Sequence, residues 1–89
     1  MSEWSYDQNE CLRKMKEVYQ CFKQHGEYED ERTHPFETTI YSLLTGIDFD
    51  YPKGSDSTAE KLFDEFSEKE QIQVIQKFAD WALGQEDLK

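Results

Sequence analysis

One amphipathic segment sets the architecture expected of this chain: residues 6–25, YDQNECLRKMKEVYQCFKQH. Its apolar residues recur at steps of three and four, which places them on one stripe of an α-helix about 120 degrees wide. They are Cys11, Leu12, Met15, Val18, Tyr19 and Phe22. Either Ser5 with Gln8 or Asp7 with Glu10 offers a capping box at the start of this helix. We therefore predict a helix with a buried stripe.

The periodicity stops after this segment. Gly26 suits the left-handed conformation that often follows the end of a helix. Residues 27–33 carry five charges of mixed sign, mostly acidic, and have no apolar period. This composition predicts a loop or a frayed turn.

A second helix is expected to follow. Pro35 fits its first position, His34 or Thr33 can precede it as the cap, and Gly46 ends it. The apolar residues that share a face are Phe36, Ile40, Leu43 and Leu44. Residues 38–41, TTIY, also have strand propensity, so a short strand there remains an alternative, although the caps favour a helix.

Two capping boxes mark the C-terminal half. Ser57 with Glu60 precedes one helix, and Ser67 with Glu70 precedes a final helix that is expected to reach Gly84. The first carries Ala59, Leu62, Phe63 and Phe66. The second carries Ile72, Ile75, Phe78, Ala79 and Ala82 on one face, widened by Val74 and Trp81. Because this face is wide, we expect the final helix to pack on two neighbours and to form the centre of the core.

These segments predict an all-α fold with a single helical domain over residues 1–89. The expected architecture is a compact bundle of three longer helices and one short helix, with acidic loops. A chain of 89 residues buries only about two thirds of its extended-chain surface. A large internal ligand cavity is therefore not expected.

The acidic residues concentrate in the middle of the chain. Residues 26–60 carry nine acids against two bases, residues 1–25 four against four, and residues 61–89 seven against four. The net charge of −10 repels nucleic acids and anionic membranes and attracts cationic surfaces. We therefore expect a basic protein surface as the partner, with no direct nucleic-acid contact and no membrane contact.

The cysteines indicate a reducing compartment. Cys11 and Cys21 lie on one predicted helix at a separation of about 15 Å along its axis, so they cannot bridge each other. The sequence shows neither a signal peptide nor an apolar run long enough to cross a bilayer. A cytoplasmic location is expected.

The sequence disfavours metal and catalytic chemistry. A calcium loop beginning at Asp48 fails because Ala59 stands where a bidentate glutamate is needed. Cys21, His25 and His34 are too sparse for a zinc site, which normally has two close ligand pairs. Neither histidine has a marked serine or cysteine nucleophile beside it. We expect no metal, no cofactor and no enzymatic activity.

Two clusters combine aromatic rings with carboxylates and are the predicted partner-binding residues. The first consists of Tyr28, Glu29, Asp30 and Glu31, and the second of Asp48, Asp50, Tyr51 and Asp56. Rings can anchor a partner while carboxylates steer its approach. Phe49, inside the second cluster, is either part of this surface or part of the core. If both segments lie at one end of the bundle, they form a single patch.

Part of the second cluster resembles a known loop. The stretch YPKGSD, residues 51–56, is similar to the tyrosine-proline loop of colicin-type nuclease immunity proteins, which are also short, acidic and helical. The resemblance covers six residues. It departs from that family in having Asp50 where those proteins place a second tyrosine, and in the two capped helices that follow. It implies an inhibitor of a nuclease without assigning the chain to the family.

The leading hypothesis is a cytoplasmic, non-catalytic protein that blocks a basic surface of a nuclease or a nucleic-acid-binding protein. It would act as an inhibitor, an immunity-type protein or a nucleic-acid mimic, and a phage, plasmid or bacterial origin fits this role. The alternative is a structural or assembly subunit that homodimerises through exposed Trp4, Val74 and Trp81. The first hypothesis favours a monomer and the second a homodimer.

Overall fold

The computed structural model describes residues 4–45 and 58–87, which form five α-helices. They are α1 (Tyr6–His25), α2 (Glu29–Thr33), α3 (Pro35–Thr45), α4 (Thr58–Asp64) and α5 (Glu68–Asp87). Strands are absent from these two ranges, so the all-α prediction is confirmed and residues 38–41 are helical. The expected set of three longer helices and one short helix is not confirmed. The described helices comprise two of 20 residues, one of 11, one of seven and one of five.

α1 is the central helix, because it packs against each of the other four. All six residues of its predicted apolar stripe are buried, and Cys11, Met15 and Phe22 are completely so. The expectation that the final helix forms the centre of the core is wrong. α5 packs mainly on α1, and part of its apolar surface, including Ile72 and Leu83, remains exposed.

A buried glutamine joins the start of α1 to α5. The Ser5 hydroxyl accepts a hydrogen bond from the backbone N–H of Gln8 at 3.1 Å, and the Gln8 carboxamide oxygen accepts one from the Ser5 N–H at 2.8 Å. The first of the two predicted capping boxes is therefore the one that forms. The Gln8 Nε2 then donates to the Glu70 carbonyl at 3.2 Å and to Gln73 Oε1 at 2.9 Å. Each polar atom of this completely buried side chain is satisfied.

Close backbone approach, and not a left-handed conformation, explains the glycine after α1. Gly26 has φ −57° and ψ 138°, so the predicted left-handed cap is wrong. A Cβ at this position would lie 2.6 Å from the Phe22 carbonyl oxygen and 2.8 Å from Glu31 Cβ. The missing side chain lets α2 lie directly against the end of α1.

Residues 29–33 form the short helix α2, which corrects the predicted loop. Arg32 donates from one guanidinium nitrogen to the carbonyl oxygens of Gly26 at 2.6 Å and Glu27 at 3.2 Å. The Thr33 hydroxyl donates to the Glu29 carbonyl at 3.0 Å. These bonds hold the turn without any apolar period, which is why the hydrophobic pattern does not reveal it.

α3 buries a different face from the one its apolar residues predict. Its buried residues are Pro35, Thr39, Ser42 and Leu43, whereas Ile40 is half-buried and Phe36 and Leu44 are exposed. The Thr39 hydroxyl donates to the Pro35 carbonyl at 2.7 Å, so its burial leaves no unpaired group. Small side chains here allow α3 to approach Met15 and Val18 of α1 and Ala59 of α4, leaving a gap of only about 10 Å³.

α4 and α5 meet at a tight junction. The second predicted capping box forms, since the Ser67 N–H donates to Glu70 Oε1 at 2.9 Å and the Glu70 N–H donates to Ser67 Oγ at 3.3 Å. Gln71 Nε2 donates to the Phe63 carbonyl at 3.0 Å and satisfies the end of α4. Ser57, the predicted cap of α4, lies outside the described residues.

α5 buries Val74, Phe78 and Ala82, which are spaced by four residues. The buried face is therefore rotated relative to the predicted one, since Ile72 is exposed and Ile75 is half-buried. The helix also continues through Gly84 to Asp87 and does not end at the glycine.

Alanine substitutions at two glycines are expected to have opposite effects on stability. Gly26→Ala forces the new methyl group against the Phe22 carbonyl and Glu31, and should lower the free energy of unfolding by about 1–3 kcal/mol. Gly84→Ala places a methyl group in open space within α5 and should raise it by about 0.5–1 kcal/mol. Urea denaturation of both variants measures the two signs. A neutral Gly26→Ala would contradict the close approach of α2.

The Gln8 side chain is expected to contribute strongly to stability. Gln8→Ala leaves a cavity and removes the donor for Glu70 and Gln73, which should cost about 2–3 kcal/mol in urea denaturation. Gln76→Ala is the matched control, since Gln76 is exposed on α5 and should change stability by less than about 0.5 kcal/mol. Equal effects of the two substitutions would disprove the bridging role.

Candidate protein-binding surface

The first predicted acidic cluster lies on α2, which buries none of its side chains. Tyr28 precedes the helix and is 65% exposed. The Glu31 carboxylate accepts a hydrogen bond from the Tyr28 N–H at 3.2 Å and closes the first turn. Carboxylates at this end are also favoured by the positive pole of the helix. The fold therefore directs the acidic side chains of α2 outward.

A groove runs between α2 and α3 and gathers part of the predicted site. This acidic groove has a volume of about 290 Å³ and is lined by Tyr28, Asp30, Glu31, Glu37, Thr38 and Tyr41. A neighbouring depression of about 220 Å³ shares Asp30, Glu37 and Thr38 and adds His34. Two exposed tyrosine rings and three carboxylates thus belong to one continuous surface.

The acids of the groove differ electrostatically from those of α1. On α1, Arg13 bonds to Glu10 and also to Glu17 at 2.6 Å, and Lys14 lies 3.7 Å from Glu17. The hydrogen bond from Arg13 lowers the pKa of Glu10 below its usual value. These four side chains of α1 therefore neutralise one another.

Within residues 4–45 and 58–87, the carboxylates of Glu29, Asp30 and Glu37 form no ion pair with a base. The nearest base in sequence is Arg32, whose hydrogen bonds go to the carbonyl oxygens of Gly26 and Glu27. Residues 27–38 hold five acids and this one arginine. The groove consequently presents a negative surface that the described part of the chain does not neutralise.

The structure brings together only part of the predicted site. Tyr28, Asp30 and Glu31 line the acidic groove, and Glu29 is exposed beside it on α2. The second predicted cluster lies outside the described residues; it consists of Asp48, Asp50, Tyr51 and Asp56. Phe49 and the start of the calcium loop considered above also lie outside them. The idea of a single patch formed by both clusters therefore stays a prediction.

Three residues of the groove, Glu37, Thr38 and Tyr41, are absent from the sequence-based prediction. Glu37 and Tyr41 are four residues apart on α3 and therefore share a face. That spacing is visible in the sequence, but their relation to Asp30 depends on α2, which the sequence pattern does not reveal.

A second groove lies across α1, α3 and α5. This apolar groove has a volume of about 460 Å³ and is lined by Tyr19, Phe36, Ala79, Ala82, Leu83 and Glu86. Leu83 is 64% exposed at its edge.

The three residues predicted to drive homodimerisation do not form an exposed surface. Val74 is completely buried, and Trp4 and Trp81 are half-buried against the core. Lys77 lies over the Trp4 ring at 5.3 Å from its centroid, and Lys16 lies over the Trp81 ring at 5.6 Å. The indole rings therefore serve packing and cation–π contacts, which corrects their assignment as an exposed apolar surface.

The two cysteines are free and differ in environment. Cys11 is completely buried, its Sγ lies 3.4 Å from the Ala59 carbonyl oxygen, and burial raises the pKa of its thiol to about 12. Cys21 is half-buried. Among the described residues, no three histidine, cysteine or carboxylate side chains are grouped so that they could hold a metal ion.

Comparisons with models of protein families, with characterised proteins and with solved structures find no significant match to this chain. Across residues 4–45 and 58–87, no helix is both long enough and apolar enough to cross a membrane. The two grooves are therefore the candidate functional surfaces of the described residues.

The two thiols are expected to react at very different rates. At about pH 8 a disulfide reagent such as dithionitrobenzoate should modify Cys21 in the folded protein, whereas Cys11 should react only after unfolding, because its thiolate is disfavoured by burial. Cys21→Ser should therefore abolish fast labelling. Fast labelling that persists in Cys21→Ser would show that Cys11 is accessible.

Proposed function

We propose that this protein is a non-catalytic binding module that attaches to a basic protein surface through the acidic groove. By covering that surface it blocks a partner such as a nuclease or a nucleic-acid-binding protein, in the manner of an inhibitor, an immunity-type protein or a nucleic-acid mimic. The observation that supports this proposal is the clustering of Asp30, Glu31 and Glu37 between two exposed tyrosine rings.

The physical basis is a division of roles within the groove. Glu29, Asp30 and Glu37 have no ion pair with a base in residues 4–45 and 58–87. Such carboxylates raise the rate of encounter with a cationic surface and form charge-assisted hydrogen bonds with its lysines and arginines. Tyr28 and Tyr41 offer ring surface with few rotatable bonds, which suits them to fill pockets on a partner. The net charge of −10 disfavours direct binding to nucleic acid.

Cys11 is unsuited to act as a catalytic nucleophile. A nucleophilic cysteine requires a lowered pKa, whereas the pKa of Cys11 is raised to about 12. We also place the protein in the cytoplasm, where its two free cysteines would stay reduced. The hypothesis of an immunity-type protein is based on the sequence resemblance of the six residues 51–56.

Neutralising two carboxylates of the acidic groove, together with Glu29 beside it, is expected to weaken capture of the partner. The triple variant Glu29→Gln, Asp30→Asn, Glu37→Gln should lose about ten- to thirtyfold in affinity, because each carboxylate contributes up to about 1 kcal/mol. The partner is first captured from host lysate and identified by mass spectrometry. Its affinity for each variant is then measured by calorimetry, at low and at physiological ionic strength.

A matched control changes the same number of charges elsewhere. Asp64→Asn, Glu65→Gln, Glu68→Gln alters three exposed carboxylates at the α4–α5 junction and should weaken binding by about threefold or less. Binding to the unmodified protein should also weaken as salt increases. Equal losses in both triple variants, or an affinity that ignores salt, would refute the proposed site.

A further inference from the structure

We propose that two copies of this chain associate through α5, with the two helices antiparallel and Ile72 of each copy packed against Leu83 of the other. This inference goes beyond the proposed function, because it concerns a different surface. The residues that line the acidic groove belong to α2, to α3 and to the residue before α2, and none of them lies on α5. A dimer of this kind therefore carries two acidic grooves.

An exposed stripe along α5 has the spacing of a coiled-coil seam. Its residues recur at alternating steps of four and three, as the core positions of a heptad repeat do. This α5 seam consists of Ile72, Gln76, Ala79 and Leu83. Ile72 is 52% exposed and Leu83 is 64% exposed, although both are large apolar residues. Single exposed apolar residues are common on protein surfaces, but two of them at the spacing of a seam favour a second helix as the contact.

The α5 seam matches itself when one copy is turned end to end. Ile72 precedes the middle of the seam by as many residues as Leu83 follows it. Gln76 and Ala79 are placed about the middle in the same way. Antiparallel pairing therefore sets each isoleucine against a leucine of the other copy and each glutamine against an alanine. A two-fold dimer needs a patch that is complementary to itself, and each contact then occurs twice.

The apolar groove offers space beside Leu83 for the incoming isoleucine. Ala79 also lines this groove, which has a volume of about 460 Å³. The Phe36 ring in its wall stacks on buried Phe78, with centroids 5.3 Å apart and an interplanar angle of 12°. Because the stacking fixes this ring, Ile72 of the second copy meets a surface that needs little reordering.

The charges beside the seam favour the antiparallel orientation. Lys69 precedes Ile72 by three residues, and Glu86 follows Leu83 by three. Antiparallel pairing sets these opposite charges against each other, whereas parallel pairing sets like charges together. Both residues also interact within their own chain, and exposed ion pairs contribute little to binding. The charges therefore select the orientation, and the apolar contacts supply most of the affinity.

The net charge of −10 on each copy limits the strength of the dimer. Two such copies repel each other at long range, and salt screens this repulsion. A contact made by one pair of helices also lies at the small end of protein interfaces. We therefore expect a dissociation constant of about 10–100 µM at physiological ionic strength. The dimer should become tighter as salt increases, which is the opposite of the dependence expected for the basic partner.

Sedimentation equilibrium of the intact chain tests the association. Measurements from about 5 to 500 µM protein, at about 0.15 M and 0.5 M salt, should show a monomer–dimer equilibrium that shifts towards the dimer at the higher salt. A chain that stays monomeric throughout this range, or a dimer that salt dissociates, would overturn the inference.

Alanine variants locate the contact. Ile72→Ala and Leu83→Ala should each weaken the dimer by about tenfold or more, because each removes apolar contacts at two symmetric places. Tyr6→Ala is the control, since Tyr6 is 77% exposed and lies on α1 about 160° round the helix from Gln8, which meets α5. It should leave the dimer unchanged. Circular dichroism checks the fold of each variant. A dimer that survives both α5 substitutions would show that another surface forms it.

A mixture of two charged variants tests the antiparallel register. Ile72→Lys and Leu83→Glu should each prevent self-association at about 100 µM, because each homodimer sets two charges against apolar side chains. In an antiparallel heterodimer the introduced lysine meets the introduced glutamate, and the remaining isoleucine meets the remaining leucine. The equimolar mixture should therefore dimerise at least about tenfold more tightly than either variant alone. A mixture that stays monomeric would exclude the antiparallel pairing, since a parallel pair does not bring the two introduced charges together.

Discussion

The packing of the four other described helices against α1 is the constraint on which the fold depends. Its stripe from Cys11 to Phe22 is buried throughout, and α2, α3, α4 and α5 all pack against this helix. A chain of this size buries few side chains, so the core consists mainly of the apolar face of α1 and the side chains that pack on it. The aromatic cluster of Tyr19, Phe78 and Trp81 then fixes α5 on that face. The positions of both grooves follow from this arrangement.

Charged side chains of α1 form ion pairs within the helix, whereas those of α2 and the start of α3 do not among the described residues. Glu10, Arg13 and Glu17 of α1 form a local network, so these charges are paired within the helix. The acids of α2 and the start of α3 have no such network among the described residues, and the arginine of α2 is bonded to backbone carbonyls. The negative potential therefore concentrates beside α3. Phe36, whose ring stacks on Phe78, lines the apolar groove and not the acidic one.

The sequence predicts those elements whose stability comes from a periodic apolar face. The stripe of α1, the start of α3 at Pro35 and the Ser67 capping box agree with the structure because each is a local pattern. α2 escapes prediction because tertiary contacts at Gly26 and backbone bonds from Arg32 hold it. The buried face of α3 escapes because Thr39 satisfies its hydroxyl within the helix and is buried despite its polarity. Within the candidate site, the acidic residues of α2 could be predicted from the sequence. Their position beside Glu37 and Tyr41 could not, because it depends on the short helix α2, which has no apolar periodicity.

The absence of buried side chains on α2 has an evolutionary consequence. Its position depends on Gly26, which precedes it, and on hydrogen bonds from Arg32 to main-chain carbonyl oxygens. Most of its outward residues can then be exchanged without disturbing the core. Selection on the exposed surface of α2 can therefore act separately from selection on folding, which depends on other parts of the chain.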